Sequence, residues 1–338
     1  MKKIVDNALF SFNDVQSALM EKFGIPPFSI FDTMQGYWQK RVKEWKSLGI
    51  KSEIGRGGDL TFNIDRSDYD DNSKVHMAYT SKGDSSCLSE EGAKKYGRKA
   101  QQTSIFDPVV CELVYTWFMP KNGDKVLDCF AGGSVRGIVA SALGKSYTGI
   151  DLRQEQIEAN RMQFEDIRKN FSGISFKDIN WICGDSLHVK RLVNEEKFDL
   201  LFSCPPYYDL EVYSNDENDL SNLESYDDFL LLYKKIIFRS CSLLNEDSFA
   251  CFVVGDIRDK NGCYRNFVGD TVSIFKDAGL NYYNEIILVN SAGTLPIRIN
   301  RQFNSGRKIG KRHQNILVFY KGNPKNIKDK FGDVVVEL

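Results

Sequence analysis

The stretch Val126-Leu127-Asp128-Cys129-Phe130-Ala131-Gly132-Gly133-Ser134 passes from apolar residues into a turn of small ones, and a helical pattern over Val135 to Leu143 follows at once. A strand that ends in a glycine turn and opens a helix is the element that binds nucleotides in doubly wound sheets. Gly132 and Gly133 let backbone amides approach a ligand at a helix N-terminus. Taken alone the turn is weak evidence, because strand-turn-helix units with glycines occur in many folds.

The units that follow repeat the arrangement. Tyr147-Thr148-Gly149-Ile150-Asp151 is a second strand ending in an acid about twenty residues on, the position where a ribose diol needs a carboxylate acceptor. A third strand closes in Ile182-Cys183-Gly184-Asp185-Ser186, whose Asp185 has two readings. It can accept a hydrogen bond from an adenine amino group, or it can cap the helix that follows. The fourth unit, Phe198-Asp199-Leu200-Leu201-Phe202-Ser203-Cys204-Pro205-Pro206-Tyr207-Tyr208, ends in two prolines. Neither can continue a central strand, so they force a stiff extended turn that carries Tyr207 out over the sheet edge.

This pattern extends along the chain. Strands are expected at Lys125 to Asp128, Ser146 to Asp151, Asn180 to Cys183, Phe198 to Ser203 and Ser248 to Gly255. Between them, Val135 to Leu143, Gln154 to Ile167, Tyr226 to Leu243 and Asn266 to Ala278 carry apolar residues at helical spacing. Short apolar runs alternating with amphipathic helices predict an α/β fold with a mostly parallel central sheet. Glu285 to Asn290 and Asn315 to Tyr320 are strand-like with no helix of comparable quality between them, so they predict a C-terminal antiparallel hairpin. Residues 1–103 form an expected accessory segment with a hydrophilic loop at about 66–103, ahead of a domain at 104–338. In the accessory segment, Trp38, Arg41, Lys43 and Trp45 present two readings, contact with DNA or packing into a core.

Composition adds bounds. A chain of 338 residues with 42% hydrophobic residues buries one substantial core. No run approaches the ~20 apolar residues that span a bilayer, and the first residues lack a signal-peptide core, so a cytoplasmic location is expected. The eight cysteines form no CxxC pair, which predicts reduced thiols and neither zinc site nor disulfide framework. The net charge of −1 advertises no polyanion as partner. Charge is nevertheless segregated: Arg298, Arg301, Arg307, Lys308, Lys311 and Arg312 lie in one stretch without an acid, while Asp209 to Asp228 holds eight acids without a base. The basic stretch is either a solvated face or a contact for DNA phosphates.

The order of these motifs, a glycine turn followed by a Pro-Pro-Tyr strand end, resembles the N6-adenine and N4-cytosine DNA methyltransferases, closest to phage-encoded DNA modification methylases. The resemblance runs from Ser104-Ile105-Phe106-Asp107-Pro108 to His313-Gln314-Asn315-Ile316-Leu317-Val318-Phe319, and the stretch from Pro27 to Trp38 is similar to the amino-terminal segment of the phage group. It implies a Rossmann-like class I methyltransferase fold, S-adenosyl-L-methionine as cofactor, and direct transfer without metal or covalent intermediate to a base flipped from DNA in a bacterial or phage-infected cell.

It also implies that Phe106, Asp107, Asp128, Phe130, Ala131, Gly132, Gly133, Ser134, Asp151, Asp185 and Ser186 hold the cofactor. Cys204, Pro205, Pro206 and Tyr207 become the catalytic turn, where Pro205 offers a carbonyl acceptor and Tyr207 a stacking face. In the family the position of Cys204 is Asp, Asn or Ser. A thiol accepts hydrogen bonds poorly, and its size is nearest serine, which favours cytosine N4. A nucleophilic Cys204 for C5 methylation is the sharper alternative, but C5 enzymes place proline before their cysteine. Methylation of RNA or of a protein amide, and an inactive DNA-binding relative, are the competing functions.

Overall fold

Leu200, Leu201, Phe202 and Ser203 are fully buried, which marks a strand covered on both sides. In the computed structural model, which describes residues 25–51, 106–171, 173–208, 219–293 and 295–334, that strand is near the middle of an eight-stranded sheet. The strands are β1 (Ile30–Asp32), β2 (Lys125–Asp128), β3 (Ser146–Asp151), β4 (Ile179–Cys183), β5 (Phe198–Ser203), β6 (Leu244–Val254), β7 (Asn281–Val289) and β8 (His313–Lys321). Their order is β1-β7-β8-β6-β5-β2-β3-β4. From β6 through β4 all neighbours pair parallel, while β8 runs antiparallel to both β6 and β7. The chain moves outward from β2 to β4 and then returns to β5 on the other side of β2, creating a switch point at the carboxyl ends of β2 and β5.

Side chains alternate between two hydrophobic layers with a period of two. In β6, Phe249, Cys251 and Val253 face one layer with helices Pro108–Phe118, Val135–Ala142 and Gln154–Asn170. Ala250, Phe252 and Val254 face the other, with helices Tyr226–Leu243 and Phe267–Asp277. Two of these helices begin where their sequence says they should. Ser225 accepts a hydrogen bond from the Asp228 amide at 3.1 Å, and Asp107 accepts one from Val109 at 2.8 Å with Pro108 at the first helical position. The apolar run of Pro108–Phe118 is buried nearly all round, so it shows no amphipathic stripe from which a helix could be read.

Two expectations require correction. The strands β7 and β8 do pair antiparallel, but a helix, Leu295–Gly306, lies between them, and Ile297 and Phe303 on it are exposed rather than forming a buried stripe. Nor does β7 close the sheet, because β1 pairs parallel to it at the edge. Residues 25–51, expected in an accessory segment, thus belong to the same sheet and core as the rest; the hydrophilic loop at 66–103 lies outside the described residues.

Trp38 is 0% exposed and donates its indole N–H to Asp107 Oδ2 at 2.8 Å, while the Arg41 guanidinium and the Trp45 indole both bind the Glu112 carboxylate. The core reading therefore prevails over DNA contact for Trp38, Arg41 and Trp45, while Lys43 is exposed. Trp38→Phe keeps most of the packing but leaves a buried carboxylate oxygen without its donor, so we expect a loss of about 1–3 kcal/mol in denaturant unfolding. An unchanged midpoint would show that the segment only leans on the domain. Among the described residues no helix is long and apolar enough to cross a membrane.

Candidate active site

The glycine turn is held from behind by a buried charge network. Asp128, 0% exposed, accepts hydrogen bonds from Arg136 Nε and the Tyr147 hydroxyl, both at 2.6 Å, and from the Ser203 hydroxyl at 2.5 Å. Arg136 Nη2 also donates to the carbonyls of Phe130 and Ala131, and its guanidinium lies 4.6 Å from the centre of the Phe106 ring. The carboxylate is thereby spent on the protein. Asp128 does not line the adjoining cavity and neither does Ser134, whose hydroxyl donates to Gln163 Oε1 at 2.7 Å. The motif places both against the cofactor; the fold instead sets them behind the cavity wall, because a carboxylate beside a buried guanidinium must pair with it.

In front of this network a cavity of about 650 Å³ opens at the carboxyl ends of β2 to β5. Phe106, Asp107, Phe130, Ala131, Gly132, Gly133, Asp151, Asp185 and Ser186 line it. Gly132 has φ +51°, in the left-handed region where a side chain is strained, and its amide donates to Asp151 Oδ2 at 2.8 Å. Asp151 Oδ1 accepts from the Arg153 amide at 2.9 Å, and burial raises the Asp151 pKa against these two bonds. Burial likewise raises the pKa of Asp107. Asp185 Oδ1 caps the Leu187 amide at 2.8 Å, as the capping reading expects, and the residue also lines the cavity. Ser186 closes the floor with a 2.6 Å bond to the Cys129 carbonyl.

Cys204, Pro205, Pro206 and Tyr207 line the same cavity. The two turns are tied at their roots, since the Ser203 hydroxyl that donates to Asp128 also accepts from the Phe130 amide at 3.1 Å. Tyr207 leans edge-on against Phe267, with ring centres 6.0 Å apart. Its hydroxyl accepts from Gln314 Nε2 at 2.7 Å and donates to the Val253 carbonyl at 3.4 Å. Cys204 Sγ lies 3.8 Å from that hydroxyl.

Other lining residues carry no motif. Gln39 and Lys46 reach the cavity from the helix Gly36–Ser47, the first helix among the described residues, and Asn290 and Gln314 from the ends of β7 and β8. Only the fold brings them there: aromatic spacing and the end of the Pro27-to-Trp38 stretch mark the helix, and Gln314 sits in the His313-to-Phe319 stretch, but none of these points to a cavity. Of the basic residues, Arg301, Arg307, Lys308 and Arg312 are exposed; Arg298 lies on the helix Leu295–Gly306, its side chain outside the described residues. Lys311 is half-buried, and burial lowers its pKa. None of the five whose side chains are described lines the cavity.

No protein-family model matches the chain. Over 99 residues it is 26% identical to the ribosomal RNA small subunit methyltransferase D of Buchnera aphidicola, covering 29% of this chain and 48% of that protein. Over 111 residues it is 32% identical to the type II methyltransferase M.HinfI of Haemophilus influenzae, covering 32% of this chain and 30% of that protein. A solved methyltransferase from Pyrococcus furiosus superposes with a TM-score of 0.41 at 15% identity, covering 75% of this chain and 99% of that one. The chain thus spans about half or less of the curated relatives that it matches. Its parallel strands around a β2/β5 switch point, with β8 inserted antiparallel beside β6, form a Rossmann-like α/β fold.

Proposed function

We propose that the protein is an S-adenosyl-L-methionine-dependent methyltransferase that modifies an exocyclic amino nitrogen, cytosine N4 or adenine N6, of a base flipped out of DNA. One observation carries this reading: the glycine turn and the Pro-Pro-Tyr turn line a single cavity. Its volume of about 650 Å³ is within the range for a nucleoside-sized ligand. The donor set fits the cofactor, with Gly132 and Gly133 at a helix start, Asp151 for a ribose and Asp185 for an adenine. Lys46 and Asp107, which also line the cavity, suit the carboxylate and ammonium of an amino acid.

The cofactor supplies a methyl group activated for attack by its positive sulfur. The protein's own residues deliver the nitrogen. An exocyclic amino group is a poor nucleophile because its lone pair is delocalised into the ring, so acceptors for its protons and a fixed ring plane are what an enzyme can add. The carbonyl of Pro205 is one such acceptor, and Tyr207, held by Gln314 and Val253, supplies the plane. Cys204, standing where the family carries Asp, Asn or Ser, leaves more of the acceptor role to that carbonyl. Holding both reactants in one enclosed site accounts for most of the rate gain.

Calorimetry with S-adenosylmethionine tests the cofactor half. Asp151→Asn removes the charge that would receive ribose hydroxyls, and we expect affinity to fall roughly ten- to hundredfold, the worth of about 1.5–3 kcal/mol for a hydrogen bond to a charged group. Absence of heat from the wild-type protein would instead favour a binding module that has lost the chemistry. The similarity to a ribosomal RNA methyltransferase keeps RNA as the rival substrate, and competition between equimolar DNA and RNA for labelled methyl groups separates the two.

A further inference from the structure

Beside the Tyr207 end of the cavity, the loop after β6 folds into a small hairpin. Arg258 and Tyr264 pair across it, Asp259 accepts the amides of Gly262 and Cys263, and Arg258 Nη1 donates to the Gly262 carbonyl at 2.7 Å. Gly262 has φ +86°, and the end of the Lys308 side chain lies where its β-carbon would be, so the basic stretch packs directly on this hairpin. The Arg258 guanidinium is 4.0 Å and Lys311 Nζ 5.8 Å from the centre of the Tyr264 ring, which is 47% exposed. Lys311 Nζ also comes within 3.9 Å of the β-carbon position of Gly255, which Tyr207 Cε2 approaches to 3.7 Å. The cluster therefore abuts the catalytic turn.

Its electrostatics are unusual for a solvated face. Among the described residues Arg258, Lys308 and Lys311 form no salt bridge. Asp256, the nearby acid, accepts the Val268 amide at 3.2 Å. Free surface cations spread into water, but here two crowd one tyrosine ring, and Lys311 is half-buried, drawn by Asp256 and repelled by Arg258. An anion lying across all three would relieve the repulsion, and the ring holds the guanidinium ready for it.

Resting on the methyltransferase reading, we infer that Arg258, Lys308 and Lys311, ordered by Tyr264, clamp the phosphodiester backbone of the DNA strand that carries the target base. A flipped base leaves the helix by rotation of its own backbone, so the phosphates beside it must be held near the pocket mouth. Three cations gathered on one hairpin beside the catalytic turn suit the repeating charge of a nucleic-acid backbone. The hairpin itself, at residues 256–265, carries no sequence motif, which is why only the 307–312 half of the clamp stands out in the chain.

Fluorescence anisotropy with a labelled DNA duplex at several salt concentrations tests it. The double variant R258Q/K311Q should bind DNA at least tenfold more weakly near 100 mM salt, and the slope of log affinity against log salt should fall by about two, roughly 0.9 for each phosphate no longer neutralised. Its affinity for S-adenosylmethionine should equal that of the wild type, which also shows that the variant is folded. The control K121Q/K325Q removes the same charge at the opposite edge of the sheet and should leave the slope in place. DNA binding with an unaltered slope in R258Q/K311Q, or an equal loss in the control, overturns the clamp and leaves the methyltransferase reading intact. Wild-type protein that binds RNA but no DNA overturns the DNA reading, and the clamp with it.

Discussion

Tyr207→Ala should reduce methyl transfer by at least on the order of a hundredfold while leaving affinity for S-adenosylmethionine nearly unchanged. Stacking of a base on an aromatic side chain is worth about 1–3 kcal/mol, and the ring also sets the direction in which the amino nitrogen points. A misplacement of only ~1 Å at a reacting centre can cost about a hundredfold by itself. The phenol is fixed by Gln314 and the Val253 carbonyl, so Tyr207→Phe should keep the stacking face, lose its anchors and fall between wild type and alanine. Transfer rates on a duplex substrate together with calorimetry for the cofactor check both halves. Loss of cofactor binding along with activity would mean that the base pocket is misplaced.

The second large effect is on stability. Asp128→Ala leaves the Arg136 guanidinium, only 6% exposed, without its carboxylate, and also removes the acceptor for Tyr147 and Ser203. Breaking a buried pair from one side costs about 3–5 kcal/mol, because the surviving charge keeps the Phe130 and Ala131 carbonyls but has no counter-charge. Denaturant unfolding of the variant should show a loss of that order, with cofactor affinity falling as a consequence of a loosened turn. A variant as stable as wild type that no longer binds the cofactor would return Asp128 to the direct role that its place in the motif suggests.

That reversal marks where residue types cease to inform. An acid at the end of an apolar strand is visible in the chain, but whether it faces a ligand or a buried arginine depends on Arg136 eight residues away and Ser203 on another strand. The ends of β2, β3 and β5 can be read because parallel strands buried on both faces appear as plain apolar runs ending in turn residues. The first helix cannot be placed that way, since Trp38 and Trp45 fit a solvent-facing or a core role equally until Asp107 and Glu112 are seen opposite them. Gln314 is 107 positions from Tyr207, and no local pattern announces that they meet. The basic stretch is legible as charge alone; the half-buried setting of Lys311 next to Arg258 is what separates it from a solvated face.

The central claim is that the cavity joins an activated methyl group to the amino nitrogen of a DNA base, and mass spectrometry of nucleosides tests it most directly. DNA is incubated with the protein and methyl-labelled S-adenosylmethionine, digested to nucleosides and analysed for the labelled product. The account predicts label in N4-methylcytosine or N6-methyladenine. Label in 5-methylcytosine, or in added RNA with none in DNA, would contradict it.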